Sequence, residues 1–129
     1  MNSLLKAFLR SDHAGEVGAV YIYKGILKIA TDSELVSFSK RHLVTEESHL
    51  RKIEAVLPKK DRSKLVGLWK IAGFLLGFIP ALFGPKIVFA TIEAVEAFVE
   101  EHYEEQLKYL RAQPNPNQEL IDLLQSCQD

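Results

Sequence analysis

The chain has one cysteine, Cys127. A lone thiol cannot close an intramolecular disulfide or form a cysteine cage around a metal. A reducing cytosolic setting is compatible with that scarcity. An excess of either charge is also missing. Sixteen basic and seventeen acidic residues leave a formal net charge of -1, so nothing global selects nucleic acid as a partner. No apolar run reaches the ~20 residues that a spanning helix needs. The stretch from Ile71 to Pro85 carries no charge, but it is short, and Pro80, Gly84 and Pro85 interrupt it. Met1 to Arg10 lacks the layout of a signal peptide, because its apolar run is short and no small-residue cleavage site follows. Strand-like alternation, internal repeats and low-complexity tracts are absent, as are a Gly-rich dinucleotide fingerprint and a flavin motif.

What remains is helical. With 129 residues, 47% of them hydrophobic, the chain fits one all-α domain over 1–129 with a modest core. A first helix is expected from about Ser3 to Ala30. Gly15, Gly18 and Gly25 weaken it by roughly 1 kcal/mol each relative to alanine. Thr31-Asp32-Ser33-Glu34 has capping-box spacing and starts a second helix, which Pro58 stops after Leu57. A basic linker follows, with Lys59, Lys60, Arg62 and Lys64. The region from Leu65 to Ala90 reads as a broken apolar hairpin or interfacial segment, with Trp69 near its polar edge. It is expected to dock on a membrane surface without crossing it. A third helix starts near Ile87 and reaches about Arg111, Pro114-Asn115-Pro116-Asn117 is a loop, and a short fourth helix starts near Gln118.

Three of these helices carry a glutamate on the apolar stripe. The first stripe is Leu9, His13, Glu16, Val20, Tyr23, Leu27, Ala30; the second is Leu35, Phe38, His42, Glu46, His49, Ile53, Val56. The third is Phe89, Ile92, Glu96, Val99, Tyr103, Gln106, Leu110. All step by threes and fours, the period of one helix face. An unpaired carboxylate in a core is costly, so it neutralises, pairs or binds a metal. With too few inward cations to pair them, Glu16, Glu46 and Glu96 point to a metal. Without one, the clustered carboxylates should repel and push at least one carboxyl pKa up.

Glu46-Glu47-Ser48-His49 is an E-x-x-H, whose ends share one helix face and can reach one ion. Oxygen plus imidazole nitrogen suits iron or manganese in a helical bundle. Taken alone the motif is more often a solvated helix face; its place on an apolar stripe argues for ligation. Asp12, one turn before Glu16, is placed to support a ligand. Most of Glu93, Glu96, Glu100, Glu101, Glu104 and Glu105 form a solvated face, the usual meaning of a charge run. His102 and Tyr103 lie about two turns beyond Glu96, where packing is the commoner role and contact with an aromatic substrate the sharper one.

Arg10-Ser11-Asp12-His13-Ala14-Gly15-Glu16, then Gly18-Ala19 and Ile22-Tyr23, resembles the opening motif of the demethoxyubiquinone hydroxylases, ferritin-like di-iron monooxygenases of ubiquinone biosynthesis. Glu46-Glu47-Ser48-His49-Leu50 is similar to their first E-x-x-H, and Leu68-Trp69-Lys70-Ile71-Ala72-Gly73-Phe74 to their apolar connection. Val95-Glu96 and Glu101-His102-Tyr103-Glu104-Glu105-Gln106 resemble their third-helix signature. The resemblance implies a ferritin-like antiparallel bundle with Glu16, Glu46, His49 and Glu96 as iron ligands and His102 and Tyr103 at the active site. It implies an isoprenoid-tailed quinone as substrate, molecular oxygen, and two electrons from a nicotinamide nucleotide such as NADH. It also implies peripheral attachment to a membrane, the cytoplasmic face in a bacterium or the mitochondrial inner membrane in a eukaryote, with a second copy or a biosynthetic partner protein possible.

The family's fourth helix carries a second E-x-x-H. Here Ser126-Cys127-Gln128-Asp129 ends the chain where that motif should begin, so an incomplete fourth helix and a C-terminally truncated form are expected. Such a form leaves the two-iron set incomplete, with one ion or none plausible and its activity doubtful. The alternative reading is a non-catalytic, membrane-associated scaffold for a quinone or isoprenoid lipid.

Overall fold

The computed structural model describes residues 2–128. Met1 and Asp129, the outer limits of the expected domain, lie outside the described residues. Five α-helices and one 3-10 turn make up the described chain, with no strand: α1 Ser3–Ile29, α2 Ser33–Val56, the 3-10 turn Lys59–Asp61, α3 Val66–Ala81, α4 Pro85–Arg111 and α5 Gln118–Gln128. This is the expected all-α class, and it is consistent with a ferritin-like helical bundle. The chain divides into two compact units, Met1–Thr91 and Ile92–Asp129.

In the first unit, α1 starts where the Asn2 side chain accepts the Leu5 amide at 2.9 Å. At the start of α2 the cap is Asp32, not Thr31 as the spacing predicts. Its carboxylate accepts the Leu35 amide at 2.9 Å, and a negative cap also complements the helix dipole. The core gathers Leu9, Val20 and Ile26 of α1, Leu35 and Ile53 of α2, and Leu57. Burying each such side chain contributes roughly 1.5–3 kcal/mol. Beside it an aromatic cluster forms: His42 stacks on Phe38 at 4.0 Å and on Tyr23 at 5.6 Å between ring centroids, and Phe89 meets Phe38 edge-on.

The expected broken hairpin is instead a regular helix followed by a tight turn. Pro80 sits in the last turn of α3, so the turns before it keep their hydrogen bonds. Gly84 takes a positive φ of 106° between the two helices, and Pro85 opens α4 as first helical residue. Gly73 and Gly77 of α3 are seats for α1. A Cβ at Gly73 would strike the Gly18 carbonyl, one at Gly77 the Ile22 carbonyl, and one at Gly25 the Phe74 carbonyl. Such close approach buries Gly73 and Gly77 and leaves Leu68, Trp69, Ile71, Leu75, Leu76 and Ile79 on the exposed side. No helix among the described residues is long and apolar enough to cross a membrane.

In the second unit, α5 is capped by Asn117, whose side-chain oxygen accepts the Leu120 amide at 3.1 Å. Arg111 bonds Gln125 at 2.6 Å, and Gln128 bonds Glu104 at 2.9 Å. The later residue on α5 meets the earlier one on α4, so the two helices run antiparallel. Tyr103, Leu107 and Leu110 of α4 and Leu120, Ile121 and Leu124 of α5 are buried.

Candidate metal centre

Glu16 comes from the middle of α1, and Glu46 and His49 from one face of α2. Val17, Val20 and Ile53 surround them in sequence with buried apolar residues, which draw this face of each helix inward. One ligand atom from each of Glu16, Glu46 and His49 lies within 4.8 Å of the others. The His49 Nδ1 stands 3.5 Å from a Glu46 oxygen and 3.7 Å from a Glu16 oxygen. These are ion-pair separations, longer than the ~2.9 Å of a good hydrogen bond. Glu16 and His49 are buried, and Glu46 is half-buried.

The electrostatics follow from that triangle. The Glu16 and then the Glu46 carboxylate push the His49 imidazole up to about 9, against the opposing effect of burial. For Glu46 burial is the largest single influence and would raise its carboxyl. Contact with His49 and Glu16, and the charges of His49 and His42, outweigh it and leave the carboxyl below its ordinary value. The expected upward push on a clustered carboxyl is therefore reversed at Glu46. The physical reason is that the imidazole takes the proton and becomes the cation between the two carboxylates. A site that places a proton there has the charge, donors and spacing that a metal cation needs. Two carboxylate oxygens and an imidazole nitrogen suit iron or manganese.

Asp12, one turn before Glu16, is buried, with 2% of its surface exposed. His13, on the predicted stripe, pairs through Nε2 with Glu54 of α2 at 3.0 Å, and Arg62 reaches the same carboxylate at 3.5 Å. Sequence reasoning missed Glu54. Its only signal was position two turns after Glu47, on the face next to the stripe. In the second unit, Glu96 is exposed, in contrast to its predicted inward phase. His102 is half-buried, stacked on Phe98 and 3.2 Å from the Gln106 amide. Tyr103 is buried and meets the His102 ring edge-on.

A glutamate from one helix and an E-x-x-H from its neighbour, aimed at one buried point, are the donor pattern of carboxylate metal-site helical bundles. Residues 3–129 match the family described as Ubiquinone biosynthesis protein COQ7, and the chain belongs to that family. It is 38% identical over 123 residues to a 3-demethoxyubiquinol 3-hydroxylase of Rhodospirillum rubrum, covering 93% of this chain and 58% of the relative. Against the NADPH-dependent 3-demethoxyubiquinone 3-hydroxylase, mitochondrial, of Caenorhabditis elegans it is 34% identical, covering 98% and 70%. Against the protein of the same name in Dictyostelium discoideum it is 30% identical, covering 98% and 59%. The chain thus spans about three fifths of the length of two of these relatives.

Proposed function

We propose that this chain belongs to a monooxygenase that hydroxylates the ring of a demethoxyubiquinone, with iron held by Glu16, Glu46 and His49. The observation that carries this reading is the largely buried triangle of Glu16, Glu46 and His49, whose ligand atoms lie within 4.8 Å of one another. Family membership and the names of the relatives support the substrate class. Overall, one oxygen atom of O2 enters a ring C–H bond as a hydroxyl and the other leaves as water, with two electrons and two protons supplied. When bound, iron supplies the oxygen-activating redox chemistry that amino-acid side chains lack.

The protein's own residues do the rest. Glu46, held below its ordinary pKa, is anionic at neutral pH and ready to ligate. His49 gives up its proton to become a ligand. Buried Asp12, one turn before Glu16, is placed to support that ligand. A nicotinamide nucleotide is the electron source; the Caenorhabditis relative's name specifies NADPH, and NADH is the alternative donor. The exposed apolar side of α3 rests on a membrane surface and admits the isoprenoid tail, which makes the protein peripheral.

The test is anaerobic loading with ferrous iron, followed by oxygen, reductant and a short-tailed demethoxyquinone. Ferrous iron bound by the wild type and lost in Glu16→Gln and His49→Gln is expected, with any hydroxylated quinone lost alongside it. Equal iron binding by wild type and both variants would refute the assignment.

A further inference from the structure

A groove of about 520 Å³ lies in the first unit, with walls from α1, α2, the 3-10 turn and the start of α3. None of the residues assigned to the metal centre lines it. Lys24, Lys59 and Lys70 line it, together with Arg51 and Arg62. Only two carboxylates, Glu47 and Glu54, face these five cations. Glu54 is already engaged, by His13 at 3.0 Å and by Arg62 at 3.5 Å. Arg62 is further tied to the Leu57 and Glu54 carbonyls. Lys24, Lys59, Lys70 and Arg51 are left facing Glu47 alone.

Two of these cations are crowded. The Lys24 ammonium lies 4.6 Å and the Lys70 ammonium 5.7 Å from the centre of the same Tyr21 ring. The ring face attracts each of them, but two like charges on one ring also repel. An anion between them removes that repulsion. The floor beside Tyr21 is apolar, built from Val17 and Val20 of α1 and Leu50 of α2. Multivalent positive charge next to an aromatic ring and an aliphatic floor suits a ligand with an anionic head and a less polar body.

We infer that this groove binds a phosphate- or pyrophosphate-bearing ligand, its anionic group among Lys24, Lys70 and Arg51 and its body against Tyr21, Val17 and Val20. The phosphate has two possible sources, a soluble nucleotide or the headgroup of an anionic phospholipid. The second gains from continuity: past Lys70, α3 continues into exposed Ile71, Leu75 and Leu76. This inference does not rest on the metal reading.

The full chain is titrated with inorganic pyrophosphate by calorimetry, and sedimented with phosphatidylcholine vesicles with and without phosphatidylglycerol. Saturable binding that weakens with salt is expected for at least one probe. Pyrophosphate binding identifies a soluble source; binding to phosphatidylglycerol vesicles alone identifies the headgroup. The double variant Lys24→Gln/Lys70→Gln should lose roughly 30-fold in affinity. Glu47→Gln should bind a few-fold tighter, and Lys40→Gln, elsewhere on α2, should bind as wild type. All these side chains except half-buried Glu47 are exposed, so helical circular dichroism and cobalt binding at Glu16, Glu46 and His49 should not change. Binding of neither probe, equal binding by wild type and the double lysine variant, or an equal loss in Lys40→Gln would overturn the inference.

Discussion

The His49 imidazole on α2 faces the Glu16 carboxylate on α1 across 3.7 Å, joining two helices through a buried charge pair. Glu46 stands on its other side at 3.5 Å. With two carboxylates around one imidazole, the proton on His49 acts as part of the fold when no metal is bound.

Metal-free stability should therefore depend on pH. His49 has an ordinary pKa of 6.5, raised to about 9 in the folded protein. Its contribution is fully present below about pH 6.5 and is lost as pH rises through about 9. The melting temperature in chelator should fall across that window, and His49→Gln should flatten the fall. Glu46 acts on the acid side. Its carboxyl is lowered from 4.5, so its contribution is present above that value and lost as pH falls through the lower folded one. A melting temperature that stays level from pH 6.5 to 9 in the wild type would contradict the pairing.

Metal binding should release the same proton. Apparent cobalt or ferrous affinity should rise by about tenfold per pH unit between pH 6.5 and 9, then level off. Anaerobic titration in a weakly buffered solution should register proton release close to one per ion. Affinity independent of pH would mean that His49 is not the group displaced.

Each of the three donors should matter strongly. Losing a group that only supports a ligand costs 10–100-fold in metal affinity. Glu16→Gln, Glu46→Gln and His49→Gln should each exceed about 100-fold. Asp12→Asn, one turn away, should fall within the roughly 10–100-fold range. Cobalt absorption titrations would rank them, and a smaller effect in Glu16→Gln than in Asp12→Asn would reverse the assigned roles.

The α1–α3 crossing gives a stability test that involves no metal. Gly77→Ala forces a methyl into the Ile22 backbone carbonyl and should cost about 3 kcal/mol or displace α3. Gly67→Ala, on the same helix, meets nothing within 4 Å and should stabilise by up to ~1 kcal/mol. Urea denaturation of the two variants should move the midpoint in opposite directions.

The exposed side of α3 should insert shallowly into lipid. Trp69 is the single tryptophan and is 45% exposed, so its fluorescence reports the event directly. A blue shift on adding vesicles is expected, lost in Leu75→Glu/Ile79→Glu. An unshifted spectrum at saturating lipid would rule out this contact.

Much of this protein could be read locally. A helix face is set by spacing along the chain, so periodicity alone placed Glu16 and His49 among buried neighbours. Caps and breakers act within a few residues, which is why the starts of α1, α2 and α5 fell within a residue or so of expectation. The opening motif carried the family. Other features depended on partners distant in the chain. The role of Gly73 and Gly77 showed only when α1 supplied the backbone that rests on them. Glu54 gained meaning only through His13, 41 positions earlier. The exposure of Glu96 and the lowered Glu46 carboxyl were invisible to spacing, because periodicity names a face but not what faces it. Lys24, Arg51 and Lys70 lie on three separate helices, and only folding lines one groove with them. Charge acts through space, and the chain order carries no record of that distance.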